Sequence, residues 1–388
     1  MRKLTMLLFF LVAITVYFGI NAYVFMRGWQ ALPAGSSLRT WFIILFVFVT
    51  SAYVIGRVLE RYWISFFSDA FVWIGSLWLG ALAYFVLACL AIDIVRLLLL
   101  VVPLRLPVVA DPARFRLFGM LGVTLVVVLA IAAGSWNARV PRIHKLAMSI
   151  AKPTKGLHTL RLVVASDIHL GTIIGQKKLA HIVDQINELR PDLVLFAGDV
   201  VDEDLRPVIR QNLGATLLSI KARKGVYGIT GNHEYIGGAE EACAYLEAHG
   251  IRMLRDTCIE IEGGVMLAGR QDRSSTQFGG QPRKPLDAVL AGVDPLSPII
   301  LMDHQPFDLH EAVDHGVDLQ LSGHTHHGQL WPFNYITSMI YEVSWGYLQK
   351  GSTHFYVSSG VGTWGPPVRT GNRPEIVEIT LSFDGGVK

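Results

Sequence analysis

The sequence predicts two unlike parts, an all-α membrane-spanning region followed by a layered α/β domain. The first 138 residues are mostly apolar, and they account for the high mean hydropathy of the 388-residue chain, +0.41. The remainder alternates apolar, β-like runs with stretches of helical spacing. Short polar motifs follow several of those runs, where loops at strand ends are expected. We therefore place the membrane region at residues 1–138 and the second domain at residues 158–388.

Four apolar runs are each long enough to cross about 30 Å of hydrocarbon at about 1.5 Å per helical residue. We predict membrane-spanning helices at about residues 4–26, 41–59, 70–92 and 117–138. Tryptophan and tyrosine residues near their ends fit interfacial anchors. The first run is too long for a cleaved signal peptide, and no small-residue cleavage site precedes the second. Residues 94–102 are apolar but interrupted by Arg96, so we expect them to lie at the surface or to extend the third helix.

The predicted localisation is the cell membrane, with a multi-pass topology. Basic residues beside the spans slightly favour a cytoplasmic second domain, although positive charges in the third connection nearly balance them. Residues 139–157 read as a basic linker, which either holds the next domain against anionic headgroups or is an ordinary solvated connection. The net charge of +3 is too small to indicate nucleic-acid binding. Three cysteines fit neither a disulfide framework nor a zinc site.

The second domain is predicted from alternating strands and helices. Helical spacing predicts helices at residues 177–189, 206–220 and 239–249. Strands are predicted at residues 160–165, 193–197, 225–230, 258–261, 265–268, 299–302, 319–321, 355–357 and 376–381. Strands that first alternate with helices and then come at closer spacing indicate an α/β domain with one mixed sheet or two packed sheets.

Five short motifs occur in order between residues 160 and 327. They are Ser166-Asp167-Ile168-His169, Gly198-Asp199-Val200-Val201-Asp202, Gly231-Asn232-His233-Glu234, Asp303-His304 and Gly323-His324-Thr325-His326. Four of the five follow an apolar, β-like run. Their carboxylate, imidazole and carboxamide groups are suitable ligands for two divalent metals. Each motif alone is common as a turn, but the ordered set indicates metal-assisted hydrolysis of a phosphate ester.

The first two motifs supply the carboxylates. Asp167 and His169 are two residues apart, so on an extended chain their side chains point the same way. Asp199 follows Gly198, which lets the backbone approach a cation closely. Its two carboxylate oxygens are able to bridge ions about 3.5–4 Å apart, the spacing of two-metal hydrolases. Asp202 is a poor candidate for the same ion and is better placed to orient a nearby imidazole.

The later motifs supply neutral ligands. The side-chain carbonyl of Asn232 completes a coordination shell without adding charge, although a turn residue is the alternative interpretation. His233 then points into the substrate space. His304 ends a predicted strand, where a single histidine is more often a core residue than a ligand. His324 and His326 again have the i, i+2 spacing and are able to face two adjacent ions.

The order of these motifs resembles that of the calcineurin-like metallophosphoesterases. The resemblance covers roughly residues 160–381, and residues 322–329 and 358–363 are similar to the membrane-anchored branch, the transmembrane proteins with a metallophosphoesterase domain and their bacterial relatives. It implies an α/β domain of the α+β type, a four-layer sandwich of two mixed β-sheets flanked by helices, with metals at the strand ends. His327 stands where that branch usually has glycine, so we expect it to face the substrate or simply to be exposed.

The resemblance also implies roles for individual residues. One metal would be held by Asp167, His169, Asp199 and His326, and the other by Asp199, Asn232, His304 and His324. His233 would be the general acid or the transition-state stabiliser, oriented by Asp202. Arg369 is a candidate phosphate clamp through its bidentate fork, with a structural ion pair as the alternative. Mixed ligation of this kind favours manganese or iron, tolerates zinc, and suits magnesium less well.

The leading functional prediction is a membrane-bound, two-metal phosphohydrolase that acts on a phosphodiester or pyrophosphate bond. An envelope precursor that is lipid-linked or nucleotide-linked, such as UDP-2,3-diacylglucosamine, is named by analogy alone. The alternatives are a broad-specificity phosphomonoesterase and a non-catalytic metal-binding membrane sensor or scaffold. Expected partners are membrane lipids and a phosphorylated small-molecule or lipid-linked substrate. The aromatic residues 331–347 are either a core-packing insert or an amphipathic lip that delivers a lipid-linked phosphate.

Overall fold

Four long apolar helices form the N-terminal part of the computed structural model, which describes residues 2–101 and 111–383, with side chains from residue 11 onward. They are α1 (Arg2–Ala31), α2 (Ser37–Tyr62), α3 (Phe66–Val101) and α4 (Pro112–Asn137). All four contain segments long and apolar enough to cross a membrane, which confirms the predicted helical region. Each extends past at least one end of its predicted span, since a helix need not stop where the hydrocarbon does. Residues 94–101 continue α3, and residue 102 lies outside the described residues.

Close packing of α2 against α3 depends on small residues. A Cβ atom added at Gly75 would lie 2.3 Å from the Tyr53 backbone, and one at Gly56 would lie 2.6 Å from the Val72 backbone nitrogen. Small residues at such contacts let helix backbones approach closely, which is a usual basis of helix association in membranes. Many of the outward leucine, valine and phenylalanine side chains are exposed, as expected for helices that meet lipid.

The first compact unit comprises residues 1–136 with residues 365–368, and the second comprises residues 137–364 and the chain from residue 369 onward. The second unit contains two six-stranded sheets. Their strands are β1 (Arg142–Ile150), β2 (Thr159–Ala165), β3 (Leu193–Phe196), β4 (Val226–Gly228), β5 (Arg252–Met253), β6 (Thr257–Ile261), β7 (Val265–Gly269), β8 (Ile299–Met302), β9 (Leu319–Ser322), β10 (Gly346–Lys350), β11 (Thr353–Val357) and β12 (Glu375–Phe383).

Both sheets are mixed. The first has the order β1-β12-β2-β3-β4-β5, in which only the β12–β2 pair is antiparallel. The second has the order β10-β11-β9-β8-β7-β6, with antiparallel pairs only at its two edges. The flanking helices are α5 (Gln176–Glu188), α6 (Arg206–Arg210), α7 (Leu213–Leu217), α8 (Asn232–Gly237), α9 (Ala239–Ala248), α10 (Leu286–Val289), α11 (His310–Asp314) and α12 (Phe333–Ile340). Two mixed sheets flanked by helices confirm the predicted fold class.

The main hydrophobic core lies between the two sheets. Leu162, Leu195 and Ile379 of the first sheet pack there with Leu267 and Leu321 of the second, and all five side chains are buried. Further apolar clusters lie on the outer face of each sheet. Because the central strands are buried on both faces, they read in the sequence as continuous apolar runs, which explains why they could be predicted.

The predicted linker at residues 139–157 is wrong for nine of its 19 residues. Residues Arg142–Ile150 form β1, which pairs in parallel with β12 from Arg142 opposite Glu375 to Ile150 opposite Phe383. The side chains of Lys145 and Glu378 meet across these strands at 2.8 Å. Two of the basic residues that suggested a linker, Arg142 and Lys145, are therefore on an edge strand. The acidic partner of Lys145 lies more than 200 residues away in the sequence, and no local pattern shows that pairing.

The predicted helix at residues 206–220 is also incorrect as one element. It is divided into α6 and α7 because Asn212 adopts a left-handed conformation with φ 52°. Asparagine tolerates this conformation better than most residues do. The short strands β5 and β10 and the helix α8 were not predicted, since two-residue to six-residue elements leave little periodicity to detect.

The topology brings the motif loops to one region. Strands β2, β3 and β4 are parallel neighbours in the first sheet, and β8 and β9 are parallel neighbours in the second. The motif loops follow the carboxyl ends of these five strands. Parallel neighbours present their carboxyl ends at the same edge, which is where open α/β sheets place their sites.

Candidate metal centre

Asp167 and His169 lie in the loop after β2, and both have left-handed backbone conformations, with φ 53° and 54°. Such a conformation costs about 1–3 kcal/mol in a residue other than glycine, so its surroundings must hold it. Here the two backbone N–H groups donate to the carbonyl oxygens of Gly198 and Asp199, each at 3.0 Å. The expectation of an extended backbone at this motif was wrong, although both side chains reach the same site.

The first group of candidate ligands consists of Asp167, His169 and His326, all buried. Nε2 of His169 lies 3.1 Å from Nε2 of His326, which in turn lies 3.5 Å from Oδ1 of Asp167. Burial lowers the pKa of His326 well below its usual value, and the neighbouring His169 and Arg369 lower it further. A neutral imidazole is the form that binds a metal, so this group suits a divalent cation.

Asp199 lies between the first group and a second one. Its Oδ2 atom is 3.1 Å from Nε2 of His304 and 3.9 Å from Nε2 of His169. Its Oδ1 atom accepts a hydrogen bond from the backbone N–H of His233 at 2.9 Å. Burial alone would raise the pKa of Asp199, but the surrounding imidazoles, that of His304 most strongly, hold it well below its ordinary value. A charged carboxylate therefore faces both groups.

The second group contains Asp199, His304 and His324. Nδ1 of His304 lies 2.7 Å from the carbonyl oxygen of Ala197, which leaves Nε2 directed at Asp199 without a hydrogen bond. This nitrogen and the carboxylate oxygen that it faces at 3.1 Å would both be able to bind a cation placed between them. Burial lowers the pKa of His304, but Asp199 raises it well above its usual value, which shows that the site favours positive charge.

Gly198 also makes room for a candidate ligand. A Cβ atom at this position would lie 2.4 Å from Nδ1 of His304, so any larger residue would displace that ring. The expected close approach of its backbone to a cation stays a prediction.

Asn232 contacts the second group through His324. Its Oδ1 atom lies 2.8 Å from Nδ1 of His324. Burial lowers the pKa of His324, and the nearby His304 lowers it further, so this imidazole is also held neutral. An amide oxygen and a neutral imidazole nitrogen at this separation are able to share one cation. The structure thus brings together all seven side chains that the sequence analysis named as metal ligands.

His233 lies beside both groups, at the start of α8. Its Nδ1 atom is 3.1 Å from Oδ1 of Asp202, and its ring meets the rings of His169 and Trp364 edge to face. Burial lowers the pKa of His233, but Asp199, Asp202 and Glu203 together raise it to about 9. The imidazole is therefore protonated at neutral pH, as a general acid requires.

Glu234 has a structural role that the sequence analysis did not assign. Its buried carboxylate accepts hydrogen bonds from the backbone N–H groups of Gly231 at 2.7 Å, Val201 at 2.9 Å and Asp199 at 3.2 Å. These bonds join the loop after β3 to the loop after β4. The available signal was the glutamate at the third position of a helix that begins at Asn232, a common capping pattern.

We expect Glu234→Gln to destabilise the protein by about 1–3 kcal/mol, because one amide oxygen cannot replace two carboxyl oxygens that together accept three N–H groups. Thermal unfolding of the purified full chain should show a lower Tm than the wild type. Glu241→Gln, the same change at an exposed position of α9, is the matched control and should leave Tm unchanged. Equal Tm values for the two variants would contradict this assignment.

Arg369 is placed where it cannot clamp a substrate. Its side chain is fully buried, and it donates to the carbonyl oxygen of Gly362 at 2.7 Å and to Oδ1 of Asn372 at 2.6 Å. Its Nη2 atom lies 3.2 Å from Nδ1 of His326, on the side of the ring away from Asp167. The expectation of a phosphate clamp is therefore wrong, and Arg369 instead fixes the position of a candidate ligand.

His327 is half-buried and has a left-handed backbone, with φ 45°. Its Nδ1 atom lies 2.9 Å from Oγ of Ser344, and its ring lies 5.4 Å from that of Trp345. Burial lowers its pKa. The side chain thus contacts the aromatic segment after the histidine motif, and its contact with a substrate stays a prediction.

Comparison with known proteins agrees with this geometry. A family model described as calcineurin-like phosphoesterase matches residues 160–328. A metallophosphoesterase from Aquifex aeolicus is 31% identical over 246 residues, which cover 63% of this chain and 93% of the relative. A transmembrane protein with metallophosphoesterase domain from Danio rerio is 33% identical over 274 residues, covering 68% of this chain and 62% of that protein.

A metallophosphoesterase from Helicobacter pylori strain J99 is 32% identical over 246 residues, covering 62% of this chain and 64% of that protein. This chain therefore spans less than two thirds of the length of the Helicobacter and Danio relatives. Residues 160–328, which the family model matches, include all seven candidate ligands.

Proposed function

The chain belongs to the calcineurin-like metallophosphoesterases. We propose that it is a membrane-bound, two-metal phosphoester hydrolase that cleaves a phosphodiester or pyrophosphate bond. The observation that carries this proposal is the position of Asp199. Its carboxylate faces both groups of candidate ligands, with one oxygen 3.1 Å from His304 and 3.9 Å from His169. A shared carboxylate is the usual way to hold two cations close together.

We propose two sets of ligands for these cations. Asp167, His169, Asp199 and His326 would hold the first, and Asp199, Asn232, His304 and His324 would hold the second. Divalent cations bound there would lower the pKa of a shared water and offset charge on the phosphate oxygens. Manganese or iron fits the mixed oxygen and nitrogen ligands best, and zinc or magnesium also fits the proposal.

His233 is proposed to donate a proton to the leaving oxygen. Its protonated imidazole lies beside both groups, and its Nδ1 faces the carboxylate of Asp202 at 3.1 Å. This contact orients the ring and stabilises its charged form, which leaves Nε2 to act on a substrate. Asp202 also lies 3.6 Å from Nδ1 of His169, so one carboxylate positions both a candidate acid and a candidate ligand.

This assignment predicts an alkaline loss of activity. The pKa of His233 is raised to about 9, so the proton that it donates is present below this pH and is lost above it. We expect kcat for a diester with a poor, alkyl leaving group to fall as pH rises from about 7 to about 10. A diester with an activated aryl leaving group needs less protonation and should lose less activity. Parallel pH profiles for the two substrates would contradict the role of His233.

We further propose that the natural substrate is a lipid-linked or nucleotide-linked phosphate, of which UDP-2,3-diacylglucosamine is an example. Two features support this. Four apolar helices and relatives named as transmembrane proteins associate the chain with a membrane. In addition, the aromatic residues that follow the histidine motif contact His324 and His327 through Tyr341 and Trp345.

A substrate panel tests the proposed function. Purified full-length protein with added manganese is assayed on lipid-linked and soluble diesters, monoesters and pyrophosphates. We expect turnover of diesters or pyrophosphates, with a preference for lipid-linked compounds. Turnover of monoesters alone would instead establish a phosphomonoesterase. Retention of metal without turnover of any compound would favour a sensor or scaffold and would contradict the proposal.

We also propose that α1 to α4 all cross the cell membrane. An even number of spans leaves the N-terminus and the second unit on the same side, and the basic residues that flank the spans favour the cytoplasm. This orientation is tested by adding a protease to the outside of intact cells, where the second unit should be protected from digestion. Digestion from outside the cytoplasmic membrane would contradict it.

A further inference from the structure

The helix α12 has its polarity reversed relative to an ordinary surface helix. None of its eight residues is buried, and its most exposed side chains include Met339 at 78% and Tyr335 at 61%. Ile336 and Ile340 are also exposed, whereas the polar Asn334 and Thr337 are less exposed and lie on the other face. A helix that packs on a protein core turns its apolar face inward, so α12 does not fit the interpretation of residues 331–347 as a core-packing insert. After the helix, Val343 of the same segment does pack on an apolar cluster.

The exposed apolar face continues beyond the helix. Trp331 precedes it and Trp345 follows it, with 54% and 44% of their surfaces exposed. We call this set the apolar lip, defined by Trp331, Tyr335, Ile336, Met339, Ile340 and Trp345. No charged residue occurs between residues 331 and 341. A continuous apolar surface of this kind is rare on a soluble domain unless it meets a partner or a membrane.

The apolar lip is fixed to the candidate metal centre. Thr325, between two candidate ligands, donates its hydroxyl to the carbonyl oxygen of Ser344 at 2.5 Å. The ring of Tyr341 lies 6.1 Å from that of His324. At the start of the helix, a Cβ atom at Gly328 would lie 2.3 Å from the backbone nitrogen of Asn334, so the backbones pack closely there. Whatever binds the lip is therefore held beside the metal ligands.

We propose that the apolar lip inserts into the interface of the lipid bilayer. The same chain carries four helices long and apolar enough to cross a membrane, which favours a bilayer as the occupant of this surface. The composition fits the interface, since tryptophan and tyrosine favour the headgroup level while isoleucine and methionine favour the acyl boundary. Insertion would present the candidate metal centre to phosphates at the membrane surface. In that respect the inference deepens the proposed function, because it names the membrane as the source of the substrate.

Photocrosslinking tests the insertion directly. The photoreactive residue p-benzoylphenylalanine is introduced at position 339 of the full-length protein, which is then reconstituted in lipid nanodiscs and irradiated. The matched control carries the same residue at position 296, where Leu296 is also exposed, at 66%, but lies in a turn between α10 and β8. Mass spectrometry should find lipid adducts at position 339 and at least about tenfold fewer at position 296.

Each other outcome of this experiment overturns the proposal. A covalent dimer linked through position 339 would show that a second copy covers the apolar lip. Equal lipid labelling at both positions would show that it arises from chance collisions. An absence of adducts at position 339 would show that the lip remains in water.

An activity measurement separates the lip from the catalytic groups. We expect Met339→Asp to reduce turnover of a lipid-linked diester in nanodiscs by about tenfold or more, because it places a charge in the interface. Turnover of a soluble diester should be unchanged, and Leu296→Asp should affect neither. Equal loss on both substrates would reject the inference. If the wild-type protein turns over neither substrate, the proposed function fails, while lipid adducts at position 339 would still support insertion.

Discussion

Asp199→Asn is expected to reduce phosphohydrolase turnover on the order of a thousandfold or more. The substitution keeps the shape of the side chain but removes the charge that faces both groups of ligands. The amide also offers one oxygen where the carboxylate offers two, and these two oxygens face His304 on one side and the backbone N–H of His233 on the other. Turnover with added manganese and metal content by elemental analysis measure the effect, and both should fall.

Asp184→Asn is the matched control for this variant. Asp184 is exposed on α5, so the same chemical change should alter neither turnover nor metal content. Added manganese at high concentration should restore little activity to Asp199→Asn, since the shared ligand itself is missing. Wild-type turnover in this variant would rule out a two-metal site that is joined by Asp199.

His233→Ala is expected to reduce turnover of an alkyl diester by about 100-fold to 10,000-fold, the usual contribution of a general acid. Metal content should remain close to that of the wild type, because His233 faces Asp202 through Nδ1 and belongs to neither proposed ligand set. An aryl diester, whose leaving group needs less protonation, should lose less activity.

His181→Ala, at an exposed position of α5, serves as the control and should behave as the wild type on both substrates. If His233→Ala lost its metals as Asp199→Asn does, His233 would be a ligand rather than an acid. Equal losses on the alkyl and aryl diesters would show that it stabilises the transition state without donating a proton. The two variants thus divide the site into groups that hold cations and a group that acts on the substrate.

The candidate ligands could be predicted because each lies in a short motif directly after an apolar strand. Strand ends, glycine turns and histidine pairs are local patterns, and parallel topology brings the ends of neighbouring strands together. The structure brings Asp167 to His326 and Asp199 to His304, although more than 100 residues separate the members of each pair. Their exact roles in catalysis stay predictions.

The supporting contacts could not be predicted in the same way. Arg369 was a candidate phosphate clamp or structural ion pair in the sequence, yet it is buried behind His326. Glu234 also accepts from the backbone N–H groups of Asp199 and Val201 in another loop, and the capping pattern predicts only its bond to Gly231. Gly198 is required by the ring of His304, more than 100 residues later in the chain. Each of these depends on a neighbour that is distant in the sequence.

The sequence by itself determined that apolar helices precede an α/β domain and that a cluster of metal-ligating groups lies at its strand ends. Hydropathy, periodicity and motif order are read directly along the sequence, and they do not depend on how distant segments of the chain pack together. Only the tertiary structure decided that residues 142–150 complete a sheet, that Arg369 supports a ligand and that α12 turns its apolar face outward. Those outcomes follow from pairing and burial between distant segments. The free energy of each such contact depends on residues in both segments, so neither segment predicts it alone.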